Sequence, residues 1–320
     1  MIDNISYQII KALTEDGRCS YAKIAKDLKL NASIVSSKVN KMLEDNLISI
    51  QAVPNPYKIG YKFQTVIALK VDQQQIDNIC DALVDNTYIS SIAIMYGIYD
   101  ILVLAEFPDI DMLIKLVQEH LPSIEGVINV ETFLVAERKK SLNKFFKTES
   151  LIHNPVSLDK IDYQLIDELR KDGRANFARL AKKYGISTAS VSRRVASLIK
   201  NDVIKITVVP NHTKLIDYTA VAYLAIKTEL QKVNEICDQL SGFPEVHTIM
   251  TLISGYKILA ILVLQNHEAL YQFVKDKILS IDGVINVETL VRTDLKKRTY
   301  VYVDDTQIQE ALRRKSLSEA

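Results

Sequence analysis

Within five residues of one predicted helix the chain carries Ser190, Ser192, Arg193 and Arg194, with Val191 and Val195 left to face a core. Hydroxyls and guanidinium groups gathered on one helix can hydrogen-bond to a polyanion and neutralise it. The matching residues of an earlier segment are Ile34, Ser36, Ser37 and Lys38, a weaker set for the same chemistry. Charged helix residues are also commonly no more than a solvated face, so the surrounding elements must decide between the two readings. Other chemistry is thinly represented. Cys19, Cys80, Cys237 and the five histidines show no metal-ligand spacing, so no metal is expected. Cys80 and Cys237 continue apolar helical stripes and read as small core residues. There is no glycine-rich phosphate loop, Ser/His/Asp arrangement or paired carboxylates with a cleft, so no catalytic residue and no cofactor are expected.

The elements around Arg193 follow a fixed order. Ile161, Leu165, Ile166 and Leu169 are spaced for one face of a helix opened by Ser157-Leu158-Asp159. Asp172-Gly173-Arg174 stops it, with Gly173 suited to a left-handed position after the helix end. A second helix from about Asn176 to Tyr184 buries Phe177, Leu180 and Ala181. Gly185 then turns the chain, and Ser187 caps a third helix through Val191, Val195, Leu198 and Ile199. This is helix-turn-helix order. The same order runs through Tyr7, Ile10 and Leu13, then Tyr21 to Leu28, then a helix capped by Asn31 and carried by Ile34, Val35, Val39 and Leu43. Lys29 stands where the other copy has Gly185, and a positive φ there would strain it.

After Pro54 and Pro210 the apolar period changes. Val66 to Val71, Ile89 to Met95, Ile101 to Ala105 and Gly126 to Ala136 read as strands, and Ile76 to Leu83 and Met112 to His120 as helices. That β-α-β-β-α-β order is ferredoxin-like, and it recurs from about Thr219 to Leu295. The duplication is explicit: Gly126-Val-Ile-Asn-Val-Glu-Thr132 returns letter for letter at Gly283 to Thr289, an offset of 157, and Asp16-Gly17-Arg18 returns as Asp172-Gly173-Arg174, an offset of 156. A period this long marks a duplicated folding unit, and two such units in one chain imitate a symmetric dimer. The expected fold class is α+β: two tandem units, each a winged helix-turn-helix domain followed by a ferredoxin-like βαββαβ domain. The helix-turn-helix domains are placed at 1–52 and 157–208, the ferredoxin-like domains at 60–140 and 217–299, a linker at 141–156, and a charged tail, with one short helix, at 300–320.

At 320 residues, 48% hydrophobic and 25% charged, the chain can bury more than one core. Met1-Ile-Asp-Asn-Ile-Ser is no secretory leader, and no stretch approaches the ~20 apolar residues that cross a bilayer, so a cytoplasmic protein without a membrane partner is expected. The net charge of +1 averages over unlike segments. Eleven Lys and Arg oppose six Asp and Glu from 157 to 206, a balance of +5; seven oppose six from 1 to 50, or +1; six oppose twelve from 60 to 140, or −6.

A helix-turn-helix followed at once by a β-α-β-β-α-β domain, with Asp-Gly-Arg after the first helix and Gly-x-Tyr-Asp opening the third strand, resembles the Lrp/AsnC, or feast/famine, transcriptional regulators. Leu158-Asp159, Asp162, Asp172-Gly173-Arg174, Leu180-Ala181, Ser190 to Val195 and Gly283-Val284 are in register with that pattern, and both halves match nearly end to end. The resemblance implies double-stranded DNA as partner of the first domains. It also implies a small effector, commonly an amino acid, and self-association at the second domains, and it makes this chain a fused dimer. It places DNA contacts at Ser190, Ser192, Arg193 and Arg194, with Ser36, Ser37 and Lys38 as the weaker set, so Arg193 and Arg194 are expected to matter more for binding than Ser37 and Lys38. It places the effector at Gly97, Tyr99 and Asp100, with Thr132 on the fourth strand. Gly97-Ile98-Tyr99-Asp100 is equally readable as a plain turn between strands. In the second half Gly255-Tyr256-Lys257-Ile258 lacks the Tyr-Asp pair in register, so the effector loop is assigned to the first half.

No enzyme is expected, but two other readings stay open. Siroheme decarboxylases of haem biosynthesis resemble the same family in both domains, and Pro244-Glu245-Val246-His247 is similar to a histidine site before their third strand. The residues after His247 do not supply converging arginine, histidine and aromatic groups. The third reading is a co-regulator that does not bind DNA.

Overall fold

The computed structural model describes residues 3–140, 156–210 and 220–298. The expected linker and the tail helix fall almost wholly outside the described residues. The first half runs α1 (Asn4–Glu15), α2 (Tyr21–Leu28), α3 (Ala32–Glu44), β1 (Ile48–Pro54), β2 (Phe63–Val71), α4 (Ile76–Val84), β3 (Ile89–Tyr96) and β4 (Ile101–Phe107). It ends with α5 (Ile110–Ile114), a π-helical continuation to α6 (Leu121–Ser123), and β5 (Val127–Lys140). The second half runs α7 (Lys160–Lys171), α8 (Phe177–Tyr184), α9 (Thr188–Lys200), β6 (Ile204–Pro210), β7 (Ala220–Thr228), α10 (Val233–Ser241), β8 (Val246–Leu252), β9 (Ile258–Leu264), α11 (His267–Phe273) and β10 (Val284–Arg298). The chain forms two compact units, and each takes elements from both halves: one from 3–59 and 156–210, the other from 60–140 and 220–298.

In the helical unit each helix-turn-helix ends in a single strand, and these strands pair with each other. β1 and β6 run antiparallel from Ile48↔Pro210 to Pro54↔Ile204. Gln51 faces Thr207, its own repeat counterpart at an offset of 156, so this pair marks the local two-fold axis. The Asp-Gly-Arg segments close on the ribbon. Gly17 N–H donates to Ile206 O at 2.9 Å and Gly173 N–H to Ile50 O at 2.8 Å. Neither glycine has a positive φ. A Cβ on Gly17 would stand 2.8 Å from Thr207 N, and one on Gly173 would stand 2.9 Å from Ile206 Cγ2. The left-handed role expected of Gly173 is therefore corrected: the residue is small so that the ribbon can approach, while extended Asp172 ends the helix.

The arginines that follow reach across the axis. Arg18 donates to Gly173 O at 2.7 Å and lies 4.1 Å over the Phe177 ring. Arg174 donates to Gly17 O at 2.8 Å and Cys19 O at 2.5 Å, and lies 4.4 Å over the Tyr21 ring. Charge-assisted bonds to otherwise unfilled carbonyls, with ring stacking, make this a reciprocal clamp.

Turn chemistry follows the sequence reading in part. Gly185 (φ 68°) and Lys29 (φ 55°) both adopt the left-handed conformation, so the lysine copy carries the expected strain. Ser187 caps α9 by accepting from Ser190 N–H at 3.1 Å, whereas Asn31 holds the cap position without a side-chain bond. The apolar face of α1 is Ile9 and Leu13 with Ser6; Tyr7 is exposed. Its counterpart Tyr163 is buried, with its hydroxyl 3.4 Å from Ile59 O.

The other unit is a closed barrel in the order β10-β3-β4-β2-β5-β8-β9-β7. Advancing four places along that order exchanges every strand with its repeat, so a two-fold axis runs along the barrel. The last strand of each half is long enough to belong to both. β5 pairs with β2 over Val127 to Leu134 and with β8 over Val135 to Lys140, and β10 pairs with β7 up to Val291 and with β3 from Val291 to Arg298. The interior is filled by both halves, including Met95, Tyr99, Phe133, Tyr223, Met250 and Tyr256. The helices cover the outer face, with Cys80 and Cys237 buried beneath them as expected. Burial pushes these thiols up, to about 11 and about 12.

Each crossing strand carries, at or next to its end, a lysine that closes a helix of the other half. Lys140 Nζ donates to Ser241 O and Phe243 O, both at 2.9 Å, at the end of α10. Lys297 Nζ donates to Val84 O at 2.6 Å and Asn86 O at 2.8 Å, at the end of α4. Terminal helix carbonyls lack intrahelical donors and carry partial negative charge, so a cation is favoured there.

Candidate nucleic-acid interface and effector turns

The reading helix of the second copy, α9, buries Val191, Val195 and Leu198 and turns Ser192 and Arg193 outward, with Ser190 half-buried at its first turn. Arg194 has a different position. Its Nη1 is 2.8 Å from both Asp159 Oδ2 and Asp162 Oδ1, the two carboxylates of the capping box that opens α7. The hydrogen bond to Asp162 raises its pKa further. In the first copy Lys38 Nζ stands 2.5 Å from Asp3 Oδ2 at the cap of α1, and that bond holds the Asp3 carboxyl well below the usual carboxylate range. Lys38 and Arg194 are counterparts, as are Asp3 and Asp159, at an offset of 156. Both cations thus fasten a reading helix to the first helix of its own copy. What remains facing outward is Ser192 and Arg193 in the second copy, against Ser37 and the 40%-exposed Ile34 in the first, where Ser36 is half-buried.

At the β3–β4 turn the structure gathers Gly97, Tyr99 and Asp100 and gives each a structural task. Gly97 has φ 151°, and a Cβ there would meet Leu290 Cδ2 of the opposite half at 2.7 Å. Tyr99 is buried and donates from its hydroxyl to Glu131 Oε2 at 2.9 Å; burial and that carboxylate push the phenol up. Asp100 has a 7%-exposed side chain whose Oδ1 meets Lys70 Nζ at 3.0 Å, while its Oδ2 accepts from Val71 N–H at 2.9 Å. Thr132 is not brought to this group. It pairs with Ile67, and its hydroxyl is buried without a partner. Glu131, one residue earlier, is the strand residue that reaches the turn; the strand alternation that separates positions 131 and 132 was the available signal.

The β8–β9 turn shows which member of the Tyr-Asp pair the second half lacks. Met95 N–H donates to Asp100 O at 2.8 Å and Asp100 N–H to Leu69 O at 2.9 Å; Leu252 N–H to Lys257 O and Lys257 N–H to Ile226 O, both at 2.9 Å, are the same bonds 157 residues on. Tyr256 therefore occupies the place of Tyr99, and the difference is Lys257 in place of Asp100. The glycine moves by one residue. A Cβ on Gly255 would meet Phe133 Cε1 at 2.9 Å, and Phe133 is the counterpart of the smaller Leu290 that faces Gly97. Among the described residues no group of three His, Cys, Asp or Glu could hold a metal ion, and no helix is long and apolar enough to cross a membrane.

Two helix-turn-helix copies joined by a shared ribbon, in one chain with both halves of an α+β barrel, define a duplicated regulator architecture. Models of the AsnC-type helix-turn-helix domain match residues 158–199, of the winged helix-turn-helix DNA-binding domain 2–49, of the Lrp/AsnC ligand binding domain 64–144, and of a C-terminal dimeric alpha+beta barrel domain 216–305. An HTH-type transcriptional regulator of Pyrococcus horikoshii is 30% identical over 149 residues, which cover 94% of that protein and 46% of this chain. One of Pyrococcus furiosus is 31% identical over 141 residues, 95% of it and 44% of this chain. The chain belongs to the Lrp/AsnC family of helix-turn-helix transcriptional regulators. In fold, 99% of the chain superposes on the whole of the siroheme decarboxylase NirDL, with TM-scores of 0.70 and 0.72 at 15% and 14% identity.

Proposed function

We propose that the chain regulates transcription in the cytoplasm as a covalently fused pseudo-dimer, binding double-stranded DNA chiefly through α9 and answering a small molecule at the barrel turns. The observation that carries this reading is the ribbon-joined pair of reading helices, of which α9 turns Ser192 and Arg193 outward while Arg194 holds it in place. A fixed pair of reading helices requires half-sites near one helical turn, or a multiple, apart. Self-association is supported by exposed apolar residues repeated on both halves, Tyr96 with Ile253 and Ile128 with Ile285. Selection of genomic fragments bound by the full chain tests the reading: enrichment of sites with a fixed half-site spacing is expected, and no enrichment over bulk DNA contradicts it.

A second reading has the whole-length fold likeness to NirDL behind it, a likeness of fold at low identity. Titrating siroheme into the full chain and following its absorbance separates the two, because a regulator leaves the spectrum unchanged.

A further inference from the structure

Arg193 has a second neighbourhood besides the reading face. It stands at the rim of a cleft of about 300 Å³ in the helical unit, between the opening of α7 and one face of α9. Residues 193, 194, 197, 198 and 201 line it at helical spacing, so the cleft runs along the reading helix itself. Leu198 and Val203, both buried, and the half-buried Leu158 give it an apolar floor, with Ser157, Ser197 and Asn201 along its sides. A concavity of this size suits a small organic molecule.

The charged groups of the cleft are unequally occupied. Asp162 is committed: its Oδ1 accepts from Arg194 Nη1 at 2.8 Å and its Oδ2 from Asp159 N–H at 3.1 Å. Arg194 is neutralised by that carboxylate and by Asp159, also at 2.8 Å. Arg193 is exposed and has no carboxylate at ion-pairing distance among the described residues. An apolar floor with one uncommitted guanidinium at its rim selects an anion that has an apolar body: the floor gains by shedding water, and the guanidinium gains a charged acceptor. The first copy lacks this combination. At an offset of 156, Ser37 replaces Arg193, the longer Lys41 replaces Ser197, and Asp45 replaces Asn201.

We propose that this cleft binds a small organic anion, an apolar body bearing one carboxylate or phosphate group, and that the anion takes Arg193 away from DNA. The apolar body lies on Leu158, Leu198 and Val203, and the anionic group accepts from Arg193. One guanidinium cannot pair with the ligand and with DNA at once, so the two exclude each other at this residue. The coupling is direct, since the ligand and DNA compete for one side chain, and it requires no change in the barrel. The effect on DNA rests on the regulator reading; the binding site does not.

Calorimetric titration of the full chain at low ionic strength, where screening is weak, tests the site with benzoate and phenyl phosphate, which put the two head groups on one body. Benzylamine and inorganic phosphate are the controls. At least one of the two organic anions is expected to bind once per chain, in about the millimolar range suited to so few atoms. Arg193→Ala, and Ser197→Leu, which fills the cleft from an exposed position, should each weaken that binding at least about tenfold at an unchanged melting temperature. With the anion at saturation and ionic strength matched, the DNA affinity of the wild type should fall at least about fivefold and its salt slope become shallower by about 1, as expected of Arg193→Ala. Ser197→Leu should bind DNA as the wild type does and be insensitive to the anion. Absence of saturable binding by both organic anions, equal binding of benzylamine or inorganic phosphate, or unchanged anion binding by Ser197→Leu would overturn the site. Anion binding with undiminished DNA affinity would overturn the exclusion. Failure of the regulator reading is distinct from both: DNA binding is absent without any probe, while the calorimeter still reports the cleft.

Discussion

Arg193 and Arg194 are adjacent and chemically identical, yet the fold uses them differently. Arg194 spans two carboxylates of the α7 capping box, whereas Arg193 is exposed on the reading face. Arg193→Ala should therefore weaken DNA binding by about 1–3 kcal/mol, or roughly 5- to 150-fold, with no change in melting temperature. Arg194→Ala should lower the melting temperature instead, by the small amount due to partly exposed ion pairs, ~1 kcal/mol or less. Thermal melts beside gel-shift titrations of the two variants distinguish these outcomes. The capped helix and its outward-facing Ser192 and Arg193 were legible because serines and arginines beside a regular apolar stripe are visible in the pattern. The pattern could not show that Arg194 is taken, because its partners lie on another helix about thirty residues away. The same holds at Asp100 and Gly97, whose partners on β2 and β10 are distant in the chain. At Gly17 the space test is direct: Gly17→Ala would set a Cβ 2.8 Å from Thr207 N, and overpacking of this kind costs about 1–3 kcal/mol. Chemical denaturation should show that loss; an unchanged midpoint would mean that the ribbon can move aside.

Among the elements, helices and barrel strands were legible from apolar period, and the two ribbon strands were not. Ile48, Ile50 and Ala52 do alternate, but a strand of seven residues whose partner is 156 residues away gives no local hairpin signal. The barrel closure was also hidden, since each ferredoxin-like order is complete in itself and nothing in it announces that β5 and β10 extend onto the other half. Their closing lysines can be probed through pH. Burial lowers the pKa of Lys297 to about 8 from its ordinary 10.5. The folded chain then releases this proton before the unfolded chain does, so this residue's contribution makes stability rise with pH between about 8 and 10.5. Urea unfolding of wild type and Lys297→Met at pH 7.5 and pH 10 isolates the effect: the gain on raising pH should be larger in the wild type. An identical pH response in both would show that the lysine exchanges its proton as freely folded as unfolded.

At the scale of the whole molecule, duplication keeps the frame and frees the sites. The two-fold axes through Gln51↔Thr207 and along the barrel relate the backbones of the halves, and the arginine clamp and closing lysines are kept on both sides. The exact seven-residue repeat belongs to this frame only in part, since Ile128 and Ile285 within it are 69% and 68% exposed. Identical apolar residues facing solvent on both halves suit a contact made twice, and replacing both by Asp should reduce the self-associated species in sedimentation velocity, leaving the melting temperature unchanged. The sites have diverged: the second helix-turn-helix carries a balance of +5 against +1, and the second barrel turn carries Lys257 where the first carries Asp100. Fusion holds these unlike halves at one-to-one.

The two reading helices are unequal, because α9 turns Arg193 outward where α3 has Ser37. Equilibrium binding of the full chain to a selected DNA fragment, followed across salt concentration for wild type, Arg193→Ala and Ser37→Ala, measures this inequality. Arg193→Ala is expected to lose at least about fivefold in affinity, with the slope of log K against log salt shallower by about 1, and Ser37→Ala to change little. Equal losses from the two variants, or an unchanged affinity and salt slope for Arg193→Ala, would contradict it.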